Sequence, residues 1–156
     1  MLAAGGRLTR TMSCRSCPLV DRREFLLTSA TVLATLTPVS ATQQEARYPI
    51  PAADGTSIDM RRQVILVRDA GAVYAFALSC PHENTALRWK AREKRFQCPR
   101  HESRYTPDGT FTSGRATRNM DRFPITRAGQ EVVVDLTKVY RSDADPGHWK
   151  EARITL

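Results

Sequence analysis

Histidine and cysteine are scarce in this chain of 156 residues, three of one and four of the other, and aromatic residues make up only 7% of it. No uninterrupted apolar run clearly reaches the ~20 residues that a membrane-spanning helix needs. The nearest approach, residues 25–44, carries no charge but is diluted by Thr28, Ser29, Thr31, Thr35 and Thr37 and broken by Pro38. Glycine (8) and proline (9) are too few for a collagen-like or low-complexity chain, and no internal repeat is visible. Beyond residue 45 no amphipathic helical periodicity emerges. A second full domain does not fit comfortably in this length, so one ordinary domain with a short appendage is expected.

What the chain does have is positive charge, a formal +8. Residues 1–41 hold five arginines against Asp21 and Glu24, and the remainder keeps 19 basic and 14 acidic side chains. The excess is Arg-heavy, with Arg88, Arg92, Arg95, Arg100, Arg104, Arg115, Arg118, Arg122 and Arg127 in or near the second half. Such a balance suits nucleic acid, an anionic membrane, an acidic protein partner, or simply a solvated basic surface. No helix-turn-helix, zinc-finger or aromatic-interleaved basic stretch accompanies it, so nucleic acid is not an expected partner.

The N-terminus has the order of an export signal. Asp21-Arg22-Arg23-Glu24-Phe25-Leu26-Leu27 precedes an uncharged Ala/Leu/Thr-rich run ending at Val39-Ser40-Ala41, giving basic, apolar and small-residue regions in turn. Arg22, Arg23, Phe25 and Leu26 resemble the twin-arginine pattern, while Asp21 and Leu27 stand where a hydroxyl residue and a lysine are more usual. The expectation is a twin-arginine signal over residues 1–41, cleaved after Ala41 or retained as an anchor, and delivery to the periplasm or the extracytoplasmic membrane face. Cys14-Arg15-Ser16-Cys17 lies upstream of this signal and is assigned no function.

Residues 42–59, polar and punctuated by Pro49, Pro51 and Gly55, read as a linker. From about Met60 the pattern becomes short β runs divided by turn chemistry. Val64–Val67 and Val73–Leu78 flank Asp69-Ala70-Gly71; Leu87–Lys90 and Arg95–Gln97 flank a charged turn; Phe123–Thr126 and Glu131–Leu136 flank Arg127–Gln130. Residues 60–140 are thus expected to form one all-β domain. The tail, 141–156, is uninformative except that Trp149 could cover one edge.

The chemistry is concentrated in Cys80-Pro81-His82 and Cys98-Pro99-Arg100-His101. Outside the signal these are the only cysteines, and each segment offers one thiolate and one imidazole to a common inorganic centre. Zinc is the rival occupant, since a Cys2His2 set can bind it tetrahedrally and would make this a structural zinc-binding module. Common zinc modules, however, pair cysteine with cysteine and histidine with histidine on one local element. Here each loop brings one of each.

This arrangement resembles the Rieske family, and the likeness extends over about residues 60–137 to a surrounding frame: Leu87, Trp89, Phe96, Ser103, Tyr105, Pro107-Asp108-Gly109 and Gly114-Arg115-Ala116. The resemblance implies an antiparallel β-sandwich carrying a subdomain of two cluster-binding loops. It implies one 2Fe-2S cluster with Cys80 and Cys98 on the inner iron and His82 and His101 on the outer. It also implies that Ser103 and Tyr105 hydrogen-bond to sulfur and raise the potential. Where many relatives carry a bracing cysteine pair this chain has Thr85 and Arg100, and Glu102 stands where glycine usually follows the last histidine. Only 55 residues follow His101, with His148 the single histidine among them, so a catalytic domain holding a mononuclear iron by two histidines and a carboxylate is not expected. The resemblance therefore implies an exported one-electron carrier, an electron-transfer subunit rather than a complete enzyme. Its partners would be redox proteins: a c-type cytochrome, or the quinol-oxidising part of a ubiquinol-cytochrome c reductase. The alternative is the small subunit of a periplasmic molybdenum oxidase of the arsenite-oxidase type.

Overall fold

The computed structural model describes residues 44–156; the expected export signal and the Cys14/Cys17 pair lie outside the described residues. Eleven strands, β1 (Glu45–Pro49), β2 (Gly55–Asp59), β3 (Val64–Asp69), β4 (Ala72–Ala77), β5 (Arg88–Lys90), β6 (Arg95–Gln97), β7 (Arg104–Tyr105), β8 (Phe111–Ser113), β9 (Ile125–Ala128), β10 (Glu131–Asp135) and β11 (Ile154–Thr155), pair antiparallel throughout. They form three sheets ordered β1-β10-β9, β11-β4-β3-β2 and β5-β6-β7-β8. The one α-helix among the described residues is α1, Pro146–Glu151.

The near-continuous apolar run of β3 follows from burial on both faces. Val64 and Leu66, with Val73 and Ala75 of β4, point into a core shared with Ala46, Val132, Val134 and Phe123. Ile65 and Val67, with Tyr74 and Phe76, point the opposite way into a second core that also contains Phe96, Tyr105, Cys80 and Cys98. The β3–β4 pair is therefore a shared wall, with the Cys/His loops rooted in the core on one side. Its turn has positive φ at both Ala70 (47°) and Gly71 (77°), the mirror-image geometry that suits the twist of a two-residue hairpin. The three hairpins expected from the sequence, β3–β4, β5–β6 and β9–β10, are all present.

Two expectations need correction. Residues 45–59 are not a linker: β1 pairs along its whole length with β10, and β2 with β3. Both are edge strands, where polar outward residues and a terminal Pro49 are tolerated, so they lack the apolar density of a central strand. Alternation is nevertheless present, with Ala46 buried and Tyr48 half-buried. The Tyr48 hydroxyl donates to Asp59 (3.0 Å), which ties β1 to the end of β2. Asp59 is held down at about 2, chiefly by the Arg62 backbone N–H.

The second correction concerns the tail, which is integral to the fold. β11 pairs with β4, and the Trp149 indole N–H donates to the Met120 carbonyl at 2.7 Å. Arg122, only 3% exposed, sits 3.6 Å from the centre of the Trp149 ring and donates to the carbonyls of Trp149 (2.7 Å) and Asp108 (2.6 Å). Burial lowers its pKa to about 10, leaving it cationic at neutral pH. One buried guanidinium thus fastens the helix to the Pro107–Gly109 turn.

Candidate metal centre

Two short loops converge at the end of the β5–β8 sheet, and their backbones follow one plan. In the first, Cys80 N–H donates to the Thr85 carbonyl (2.8 Å) and the Cys80 carbonyl accepts from Asn84 N–H (2.9 Å). In the second, Cys98 N–H donates to the Ser103 carbonyl (2.9 Å) and the Cys98 carbonyl accepts from Glu102 N–H (3.0 Å). Asn84 (φ 51°) and Glu102 (φ 55°) both close their loops in the left-handed region. A glycine would sit there without strain.

The thiols lie deep, Cys80 at 0% and Cys98 at 1% exposure, while both histidines are half-buried. His82 Nδ1 and His101 Nδ1 face each other at 3.1 Å. Two nitrogens bound to one ion at about 2.1 Å would stand roughly 3.4 Å apart at a tetrahedral angle, close to this separation, and the Glu83 carboxylate lies 3.8 Å from His101 Nδ1. Cys98 is close enough to act on the Cys80 thiol, whose pKa is pushed up mainly by burial. The four predicted ligands are therefore grouped as a buried sulfur pair and an outer nitrogen pair, a donor set that fits a centre with a sulfur-held inner iron and an imidazole-held outer one.

Ser103 and Tyr105 also lie at this site, both fully buried. Tyr105 Oη is 3.4 Å from Cys80 Sγ, and its pKa is raised by burial and by that contact, which keeps the phenol protonated and able to donate to a thiolate. The Ser103 Oγ accepts from the N–H groups of Arg115 (3.1 Å) and Ala116 (3.0 Å), leaving its single O–H proton to give. Gly114 (φ 112°) makes this possible, because a Cβ there would overlap the Ser103 backbone.

Several supporting residues escaped sequence reasoning. Arg118 donates to the Pro81 carbonyl (3.3 Å) inside the first loop and is itself held by Asp121 (2.9 Å). Glu83 and Arg100 form an ion pair at 2.9 Å, one residue from each loop. That pair compensates the Arg100 charge, one of the arginines in the basic excess of the second half. Single arginines and glutamates in loops carry no pattern, so these partners could be found only from the fold.

The family model for the Rieske 2Fe-2S domain matches residues 46–124, half of the chain, and spans both loops. The chain belongs to the Rieske family. Its cofactor is accordingly a 2Fe-2S cluster. Cytochrome b6-f complex iron-sulfur subunit 1 of Synechocystis sp. is 31% identical over 81 residues, 51% of this chain and 46% of that protein, so this Rieske chain spans about half the length of the curated relative. Among solved structures, the plasma membrane Rieske protein PetC3 from Synechocystis PCC 6803 is 20% identical, covering 58% of this chain and 98% of its own at a TM-score of 0.48. The hyperthermophilic respiratory Complex III structure is 19% identical, with coverage of 70% and 90% and a TM-score of 0.45.

Proposed function

We propose that this Rieske protein is an exported one-electron carrier, the iron-sulfur subunit of a respiratory complex of the quinol-cytochrome c type, with Cys80, His82, Cys98 and His101 as the cluster ligands. The observation that carries the ligand assignment is the pair of facing Nδ1 atoms, 3.1 Å apart, outside two neighbouring buried thiols. When bound, the cluster supplies a one-electron redox couple. Neutral imidazoles in place of two thiolates reduce the negative charge around it and so favour the reduced state.

The chain's own residues shape that couple. Tyr105 presents a hydroxyl to Cys80 sulfur, Ser103 has one O–H left to give, and the packed core around Cys80 and Cys98 excludes water from the sulfur side. The half-buried imidazoles are the more exposed pair among the four proposed ligands and would face a partner. Redox proteins, a c-type cytochrome or a larger quinol-oxidising subunit, are the partners this reading assigns. Similarity to a cytochrome b6-f subunit supports it, and the Arg22-Arg23 signal pattern supports export by the twin-arginine route to the periplasmic side. The molybdenum-oxidase alternative draws on one feature, Thr85 and Arg100 where a bracing cysteine pair would stand.

The test is direct. Purified protein should contain about two iron and two acid-labile sulfide per chain and, once reduced, give the low-average-g EPR signal of a mixed-ligand cluster. Colourless protein with one zinc per chain would replace the electron carrier by a structural zinc module.

A further inference from the structure

The outer face of the β5–β8 sheet is a basic surface, and its composition follows strand alternation. Trp89, Phe96, Tyr105 and Phe111 point or pack inward, so Arg88, Lys90, Arg95, Gln97 and Arg104 point outward. Register places Arg88, Gln97, Arg104 and Ser113 in one row across four strands, and Lys90 directly opposite Arg95 in the next. Like charges directly opposite on a sheet destabilise it. The face nevertheless contains four cations, and the carboxylate beside it, Glu93 at the hairpin turn, pairs with Arg95.

Among the described residues neither Arg88 nor Lys90 nor Arg104 lies in an ion pair, and Nε of both Arg95 and Arg104 is shielded without a hydrogen-bond partner. The row runs directly into the metal centre, since Gln97 precedes Cys98 and Arg104 follows Ser103. We infer that this face docks an acidic electron-transfer protein, holding the partner's carboxylates beside the half-buried His82/His101 pair. This rests on the electron-carrier reading above and adds the partner's chemistry to it.

Three features favour a protein partner over other polyanions. Three of the four cations are arginine, whose planar fork suits carboxylates and which is enriched in protein interfaces where lysine is depleted. The exposed large apolar residues, Ile58, Met60, Val139 and Leu156, lie on other elements, so nothing on this face enters a bilayer. Its aromatic residues face inward, leaving no platform for stacked bases. In the docked pair one electron passes from the reduced protein to the oxidised one, and no bond is made or broken.

The experiment uses the full-length, cluster-loaded protein with two c-type cytochromes, one acidic and one basic. Second-order electron exchange is followed by stopped flow over a salt series, and affinity is measured separately by calorimetry. Arg88→Glu/Lys90→Glu should slow exchange with the acidic cytochrome about tenfold at low salt and weaken its binding, with the difference fading as salt rises. Arg61→Glu/Arg127→Glu makes the same change in net charge on other elements and should have much less effect. The visible and EPR spectra of both variants report cluster content, so loss of the cluster reading is distinguishable from loss of docking. Equal effects of the two variants, equal effects on the two cytochromes, or sedimentation with phosphatidylglycerol vesicles that Arg88→Glu/Lys90→Glu abolishes while cytochrome exchange is unchanged would each overturn the inference.

Discussion

The two loops of the metal centre share a backbone and differ in what they hang on it. Both close with the same pair of hydrogen bonds around their cysteine and both end in a left-handed residue at the fourth position after it. Their histidines, however, fall at different steps, two residues after Cys80 and three after Cys98. Their backing differs too. The first loop is held by a side chain, Arg118 on the Pro81 carbonyl, and the second by close backbone packing, Gly114 against Ser103. A common frame thus fixes where the sulfurs go, and the unequal offsets bring the two nitrogens face to face.

That comparison breaks most visibly at the ligands. With His82 and His101 as the proposed ligands of one iron, His82→Ala and His101→Ala should be equivalent, each abolishing the mixed-ligand EPR signal and at least most of the iron while both thiols remain titratable. A normal spectrum in either variant would remove that histidine from the ligand set. The next largest effect separates the two kinds of backing. Gly114→Ala forces a Cβ into the Ser103 backbone at φ 112°, and should cost about 2 kcal/mol or more in denaturant unfolding. Full stability in Gly114→Ala would mean the second loop can retreat from its support.

Tyr105 contacts only the first loop's sulfur among the two, at 3.4 Å, and so offers a smaller, one-sided test. Tyr105→Phe keeps the ring in its core and deletes the donor. The midpoint potential should fall by about 40 mV, the one-electron equivalent of a hydrogen bond of about 1 kcal/mol. An unchanged potential by protein-film voltammetry would mean the hydroxyl does not act on that sulfur.

How much of this was legible in the sequence depended on whether the cause was local. The Cys/His spacing, the β3–β4 turn and the strands carrying Trp89 and Phe96 all show as short-range pattern, and the turn and the strands stand where that pattern puts them. β1 was missed because an edge strand ending in proline looks like a linker until its partner, more than eighty residues away, is known. Arg122 looked like one more basic residue, yet it is buried between Trp149 and the Asp108 turn, a contact that only tertiary packing creates. Arg118 and the Glu83–Arg100 pair were hidden for the same reason: charge in a loop has no period.

The smallest effect is the most discriminating, because it asks whether the shared frame is strained equally. Asn84 and Glu102 occupy the same backbone position at nearly the same φ, 51° and 55°. Asparagine tolerates the left-handed region, whereas a glutamate there meets its following carbonyl through Cβ with little local compensation. Glu102→Gly relieves that strain and loses a little to the extra freedom of glycine in the unfolded chain, for a net gain of about 0.5–1 kcal/mol. Asn84→Gly relieves less and loses as much, so its change should be near zero. Measured by urea unfolding of the cluster-loaded protein, equal shifts in the two variants would mean that side-chain identity at this position is irrelevant and that the loops are equivalent in strain as well as in hydrogen bonding.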